Sequence, residues 1–378
     1  MYKRQNLNLS YSRSSNFSAI LRDTLDQNGL SDGELDYLNP SIGGSINMTY
    51  ITIKTAGEAT FWGSKSDDNS SKAFDEFKNN IPTFLRLYQE ENPDIPYNNR
   101  SQDVLISSFL AAYTGDRKIT DRDRRTHPRF PLPNWKATYS GLSKIPSLKK
   151  KFKSITLTHN YSSTYDLGNY SSSLVFTELG PGQDLTSLDE IDLTRGGASA
   201  LDLAYHPVFL IGDVSISEKF SPLIGINIKT VKKLNINLSY NTTRNIALQT
   251  SNAQINELKE QSLNITVGYT KKNMTLPFGF KKGQKVTLKN DVAFNMNMKV
   301  KDTRTIQRSL DSDDGTVGLT SITAGSLNFQ LAPNIKYQVN NRLNLRLYFE
   351  RVINAPKISS SFRTARTAFG FELRFSLN

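Results

Sequence analysis

Three histidines, His127, His159 and His206, are the side chains best suited to proton transfer near neutral pH. They stand far apart in sequence, and none belongs to a His-Glu-x-x-His run that would set two ligands on one helix face. His159 falls in phase with Ile155 and Leu157, which gives it a rim position on the oily side of a strand rather than a ligand role. Asp121 and Asp123 lie among arginines and read as a solvated connector. Asp311-Ser312-Asp313-Asp314-Gly315 is acidic like a calcium loop, but the spacing and the downstream glutamate are wrong, so it reads as a loop tip. Gly279 to Lys285 is basic and carries glycine without phosphate-loop spacing, and reads as a hairpin turn. There is no Gly-x-Ser-x-Gly elbow and no cysteine, which removes thiol catalysis, cysteine-based zinc sites and disulfides. The sequence therefore offers no catalytic, cofactor-binding or metal site and is read as a non-enzyme.

The composition points to an unusual core. Only 37% of the 378 residues are hydrophobic, yet 16 Tyr and 20 Phe remain, too many aromatics for a disordered chain. Strands with one oily and one wet side reconcile the two, as in a membrane barrel with a hydrated interior. No run approaches the roughly 18 apolar residues of a transmembrane helix, and spanning strands need only about ten alternating ones. The formal charge of +12 is spread along the chain, tightest at Lys149, Lys150, Lys151 and Lys153. That dispersal argues against nucleic acid and for girdles and loops touching anionic lipid headgroups.

The elements follow from periodicity. Leu7, Leu9 and Tyr11 alternate with polar residues, and Ile46, Met48 and Tyr50 begin a second strand with a phase change near Tyr50. Phe74, Phe77, Ile81, Phe84/Leu85 and Tyr88 recur at helical spacing, with Pro82 expected to kink or split the helix. The stripe is read as packing within its own domain rather than as a partner-groove filler. A second short helix is expected over 103–113, with Asp103 as N-cap and one apolar side. Pro128 to Pro133 reads as an edge or an entry into a strand. From Trp135 onward alternation repeats: Ile155/Leu157, Ile224/Ile226/Ile228, Leu234 to Tyr240, Leu263 to Tyr269, Val292 to Val300, Leu343 to Phe349 and Phe369 to Leu377. A soluble sandwich would alternate too. The amide-rich polar phase, the aromatics ending the runs and the alternating C-terminus favour a membrane. About a dozen spanning strands are expected. The chain thus divides into strands and loops at 1–60, a helical insert at 61–125, either an extramembrane cap or a domain inside the lumen, and C-terminal transmembrane strands at 126–378. Met1-Tyr2-Lys3-Arg4-Gln5 reads as a translated sequencing adaptor, with the natural chain expected to extend upstream.

Several framework segments resemble the C-terminal region of the SprA/Sov family. They are Ser101-Gln102-Asp103-Val104-Leu105-Ile106 running to Phe109-Leu110-Ala111-Ala112-Tyr113, Pro131-Leu132-Pro133-Asn134-Trp135 with Tyr139-Ser140-Gly141-Leu142, Ser215 to Gly225, and the ending Phe371 to Asn378. The resemblance covers the chain from about residue 100 onward. It implies an all-β, antiparallel transmembrane segment of a very large outer-membrane barrel. The family is the protein-conducting translocon of the type IX secretion system of Bacteroidota, linked to gliding motility, and it passes folded cargo to the cell surface. The implied partners are outer-membrane lipid, secreted cargo proteins, a PorV-type shuttle barrel and a periplasmic plug protein; no cofactor and no catalytic residue is implied. Neutral Asn/Ser/Thr faces would keep such a pore wet and non-sticky, and Pro128 to Pro133 is the expected interrupted edge of a lateral opening. The alternative is an outer-membrane receptor or transporter barrel of the TonB-dependent type, although no plug or TonB-interacting segment is visible.

Overall fold

The computed structural model describes the chain except residues 1–2, 26–30, 53–70, 115–118, 121–122, 174–195, 199–204, 277–285, 311–317, 341, 359 and 376–378. The alternating runs form strands because each exposes one oily and one polar edge to its neighbours. They are β1 (Lys3–Asn8), β2 (Tyr11–Leu25), β3 (Ser31–Thr49), β4 (Asn134–Tyr139), β5 (Phe152–Ser172), β6 (Phe209–Ile211), β7 (Asp213–Thr230), β8 (Leu234–Gln249), β9 (Gln254–Lys271), β10 (Val292–Ser309), β11 (Thr320–Gln338), β12 (Leu343–Pro356) and β13 (Thr364–Phe375). All thirteen belong to one antiparallel sheet. Its main path has ten members, and β2, β3 and β6 continue β1, β4 and β7 end to end. The result is an up-and-down meander in sequence order. Among the described residues the sheet is open, with β1 and β2 on one edge and β13 on the other. The antiparallel β-architecture expected from the sequence is present, and among the described residues the sheet does not close on itself.

The helical segment interrupts a strand. β3 and β4 run in the same direction along the same edge of β5, pairing with Thr164 to Ser171 and with Leu157 to Tyr161 respectively. Between those registers the Ser163 N–H donates to Asn134 Oδ1 at 2.7 Å, and Ser163 O accepts from Tyr50 N at 3.0 Å. A side-chain amide therefore replaces the missing ladder bond, which a buried backbone group requires. Leu132 N donates to Thr49 O at 2.8 Å, so the departing and returning chains meet at the junction. Pro128 to Pro133 is thus an entry into β4, which is flanked by β1 and β5. It is not the interrupted edge expected from its prolines.

Helix α1 (Lys72–Glu91) starts at Ser71, whose hydroxyl accepts from Phe74 N. Its buried stripe is Phe74, Phe77, Ile81, Phe84 and Tyr88, as the spacing predicts, and it packs intramolecularly. Pro82 does not split the helix. It sits on the exposed side, where water can serve the Lys78 carbonyl that proline leaves without a donor. Helix α2 (Gln102–Thr114) corrects the expectation of one apolar side: all thirteen of its residues are buried. Asp103 is not the N-cap. Leu105 N bonds to Ser101 O at 3.0 Å, which makes Ser101 the capping position, and Asp103 Oδ2 accepts from Tyr205 Oη at 2.6 Å. Gln102 docks the helix to the sheet, donating to Phe209 O at 2.9 Å and accepting from Ile211 N at 2.8 Å.

The junction bond gives a direct test. Asn134→Ala removes the acceptor of the Ser163 N–H and should cost about 1–3 kcal/mol, whereas Asn134→Asp keeps an acceptor and should cost less. Urea unfolding of the detergent-solubilised chain checks both.

Candidate functional site

The two faces of the sheet differ along its whole width. Register partners share a face, so the positions can be followed from strand to strand. Leu234 opposes Tyr269, which opposes Phe294, Ile335, Leu347 and Phe371 in turn. Two rows on, Ile236, Val267 and Met296 align; four rows on, Leu238, Ile265, Met298 and Leu331. Ile226 and Ile228 of β7 and Ile155 and Leu157 of β5 extend the row. One apolar band therefore runs from β5 to β13. Among the described residues no second layer covers its far end: Phe369, Phe371, Leu373 and Phe375 remain 59–79% exposed. The band is seven residues long on β8 (Leu234–Tyr240) and nine on β10 (Val292–Val300), about 20–26 Å at about 3.3 Å per residue.

The band also slants. On β12 the seven-residue run is Leu343 to Phe349, yet the register partner of Leu234 is Leu347, four residues further along. A slip of four residues over the four steps from β8 to β12 is one residue per strand. With about 3.3 Å per residue and about 4.8 Å between strands, that places the strands roughly 35° from the normal of a level band. Aromatic rings mark both margins, Tyr269, Phe294 and Tyr337 at one and Tyr240, Phe329 and Phe349 at the other. Tyr269 stacks on Phe294 with centroids 6.2 Å apart.

The opposite face is polar. Asn241 reaches Ser262 at 3.4 Å, and Asn295 donates to Asn334 at 3.3 Å. It is not uniformly neutral, however. Lys301 pairs with Glu260 at 2.9 Å, Arg346 with Glu372 at 3.3 Å and Arg366 with Glu350 at 2.8 Å. The expected amide surface holds best on β8 to β11, and ion pairs enter toward β13.

Beyond the Tyr240 margin, the face that carries the band meets the helices. Against β9, β8 passes without a register break from Leu238 to Arg244, Ile246 and Leu248, the last two buried in the core with Phe77, Phe109 and Tyr113. The helical layer thus shares the apolar face, not the polar one that a lumen domain would occupy. At its base lies a buried ionic cluster that the sequence reading missed. Glu257 Oε1 pairs with Arg244 Nε at 2.7 Å and Lys259 Nζ at 3.3 Å, and its Oε2 with Arg308 Nη2 at 3.3 Å. Arg244, Glu257 and Arg308 are at most 2% exposed. Arg244 also lies over the Tyr113 ring and Arg308 over Phe74, at 5.5 and 5.8 Å. Burial alone would raise the Glu257 carboxyl, but Arg244, Lys259 and Arg308 outweigh it and hold it below its ordinary value. Glu218, on the neighbouring strand, moves the other way: burial raises it, although Thr52 Oγ1 and Tyr161 Oη each donate to its Oε1 at 2.9 Å. The signal in the sequence was phase, since Arg244, Glu257 and Arg308 all occupy the apolar phase of their strands.

The residues first considered for chemistry do not converge. His159 lies within β5 where its pairing with β7 shifts register, its Nδ1 2.7 Å from Leu223 O and its ring beside Trp135, in an aromatic group completed by Tyr161 and Phe220. His127 contacts Thr126 Oγ1 at 3.2 Å; burial, then Arg13 and Arg125, hold its imidazole below the ordinary value. His206 lies in a short ribbon paired with Gly197. Asp123 accepts from Thr120 N at 2.8 Å and pairs with Arg125 at 3.9 Å. Asp121, Gly279 to Lys285 and Asp311 to Gly315 lie outside the described residues. Among the described residues no group of three or more His, Cys, Asp or Glu side chains is placed to hold a metal. No family model matches the chain, and no curated protein resembles it significantly in sequence.

The two glutamates should respond oppositely to neutralisation. Glu257→Gln leaves the buried Arg244 and Arg308 and the partly buried Lys259 without their carboxylate and should destabilise the helical layer by about 3–5 kcal/mol. Glu218→Gln keeps an acceptor and removes a buried charge, so it should be neutral or stabilising at pH 7. Amide exchange of α2 reads both. With pH the signs also differ. Glu257, with its lowered value, contributes fully above the ordinary carboxylate range and loses that contribution as pH falls below it. Glu218, with its raised value, favours the folded state at low pH and loses that contribution as pH rises.

Proposed function

We propose that this chain is a membrane-spanning part of an outer-membrane β-barrel, with the apolar band against lipid and the polar face toward a hydrated lumen. The observation that carries the reading is the apolar band, uncovered at its far end, bounded by aromatics and slanting by four residues between β8 and β12. Outer-membrane strands likewise carry an outward apolar band between aromatic girdles and are tilted by about 35–45°. A soluble sandwich would lay a second sheet on that face. In this reading the helical layer is an extramembrane cap on the outer surface of the sheet, because it shares the lipid-facing side and begins where the band ends. The open edges, β1 with β2 and β13, then pair with further strands of a larger barrel.

The resemblance to the SprA/Sov translocon family gives the proposal its specific form. The barrel conducts folded cargo proteins through the outer membrane to the cell surface for type IX secretion and gliding motility. Its partners are then cargo, a PorV-type shuttle barrel and a periplasmic plug protein. A mixed polar face of amides and paired ions suits passage, since paired charges hydrate the wall without presenting one fixed sign to the cargo.

Arginine placed at mid-band tests the membrane part. Leu238→Arg or Ile265→Arg should lower insertion by about 2–4 kcal/mol, while Asn237→Arg on the polar face should be tolerated. Carbonate-resistant membrane recovery measures this, and equal behaviour of the two faces would sink the reading. Conduction is tested separately, because the chain lacks cysteine. A bulky thiol adduct at Asn237→Cys in intact cells should cut cargo release to the surface, and the same adduct at Ile236→Cys should not. Unchanged release from the Asn237→Cys protein would refute conduction and leave the membrane assignment standing.

A further inference from the structure

Charge that is scattered in sequence is gathered in space. The segment joining β4 to β5, the turn from β7 to β8 and the exit of β9 all lie at one end of the sheet, since Phe152 pairs with Thr230, Leu234 with Tyr269 and Lys271 with Val292. They bring Lys149, Lys150, Lys151, Lys232, Lys233 and Lys272 to one rim, all exposed. Val231 N donates to Lys151 O at 3.1 Å, which ties the first two segments together. Residues 140–153 and 221–241 contain no Asp or Glu. At this rim Lys233 pairs with Asp291 at 3.5 Å, both about half exposed. The acids cluster at the other end, with Asp75, Glu90, Glu91 and Asp103 on the helices and Glu218 and Glu257 beneath them.

We infer that this lysine rim binds the phosphate headgroups of anionic glycerophospholipids, anchoring this end of the sheet in a phospholipid leaflet. The inference rests on the membrane reading above. The rim is continuous with the apolar band: Lys271 lies two residues beyond Tyr269, and Lys232 and Lys233 immediately precede Leu234. That is the depth at which an acyl zone gives way to phosphate. A lysine there can lay its methylene stem along the margin and lift its ammonium to the headgroup. Each such cation near an anionic surface adds to the attraction. The continuity of the rim with the apolar band favours a lipid surface over a nucleic acid.

Co-flotation of the full chain with vesicles tests the inference. Two lipid mixtures are compared, phosphatidylcholine alone and phosphatidylcholine containing a third phosphatidylglycerol, each at low and high salt. The expected result is flotation with both and an anionic preference of about tenfold or more that high salt weakens. Replacing Lys149, Lys150, Lys151, Lys232 and Lys233 by Gln should abolish the preference while flotation with phosphatidylcholine persists. Replacing Lys78 and Arg86 on α1 should leave the preference intact. Equal flotation of the unaltered chain with both mixtures, or an unchanged preference in the rim variant, overturns the rim and leaves the membrane assignment in place. Failure to float with either mixture overturns both. Displacement from anionic vesicles by single-stranded RNA at equal charge, with no lipid preference regained, would assign the rim to nucleic acid instead.

Discussion

A strand cannot change which of its faces is which without a bulge, and β8 and β9 run against each other with no break in register, while the irregularity at Tyr240/Thr242 lies in the pairing of β8 with β7. One surface of the sheet must therefore meet two different environments in succession. Along half of each strand it is Leu, Ile, Val and aromatic; along the other half it is a floor of buried side chains beneath two helices. The rest of the architecture follows from that continuity. The helices are needed where the surface leaves the apolar band, because Ile246, Leu248 and Ile255 would otherwise be exposed beyond it. The charged residues are needed at the same level, because a strand that continues past an apolar zone must regain solubility or gain cover. Arg244, Glu257 and Arg308 sit at the handover, paired with one another and roofed by Phe74 and Tyr113.

Alternation made the strands and the faces legible in the sequence. The runs Leu234 to Tyr240 and Leu263 to Tyr269 give the strand, its phase and its aromatic margin without coordinates, and the Phe74 to Tyr88 stripe gives the buried face of α1. These are short-range signals set by the two side-chain periodicities. Three features were hidden because they depend on which segments become neighbours. The ionic cluster joins residues from three strands, and only their phase, polar residues where oily ones belong, marks them in advance. The lysine rim looks dispersed until the meander stacks its turns. The role of Asp103 could not be seen, because its partner Tyr205 lies about a hundred residues away.

The prolines were resolved by their surroundings. Pro82 was expected to kink or split α1; it faces outward, opposite the buried stripe, and the helix runs from Lys72 to Glu91 without splitting. The prolines before β4 were expected to mark an edge or an entry into a strand, and they lead into a strand that stands between β1 and β5. At the junction the Asn134 side-chain carbonyl supplies the acceptor that the Ser163 N–H lacks in the ladder. Proline reports that a backbone donor is missing; its surroundings decide the structure.

The point where β3 stops and β4 resumes amounts to a splice. Two ends of the chain meet beside Ser163, continue each other's direction, and return more than eighty residues of intervening polypeptide to the point it left. Because the cost of closing such an excursion grows only slowly with its length, the sheet is nearly indifferent to how much chain is hung there. The same junction can therefore carry inserts of different size on an unchanged sheet, without renegotiating a single strand register.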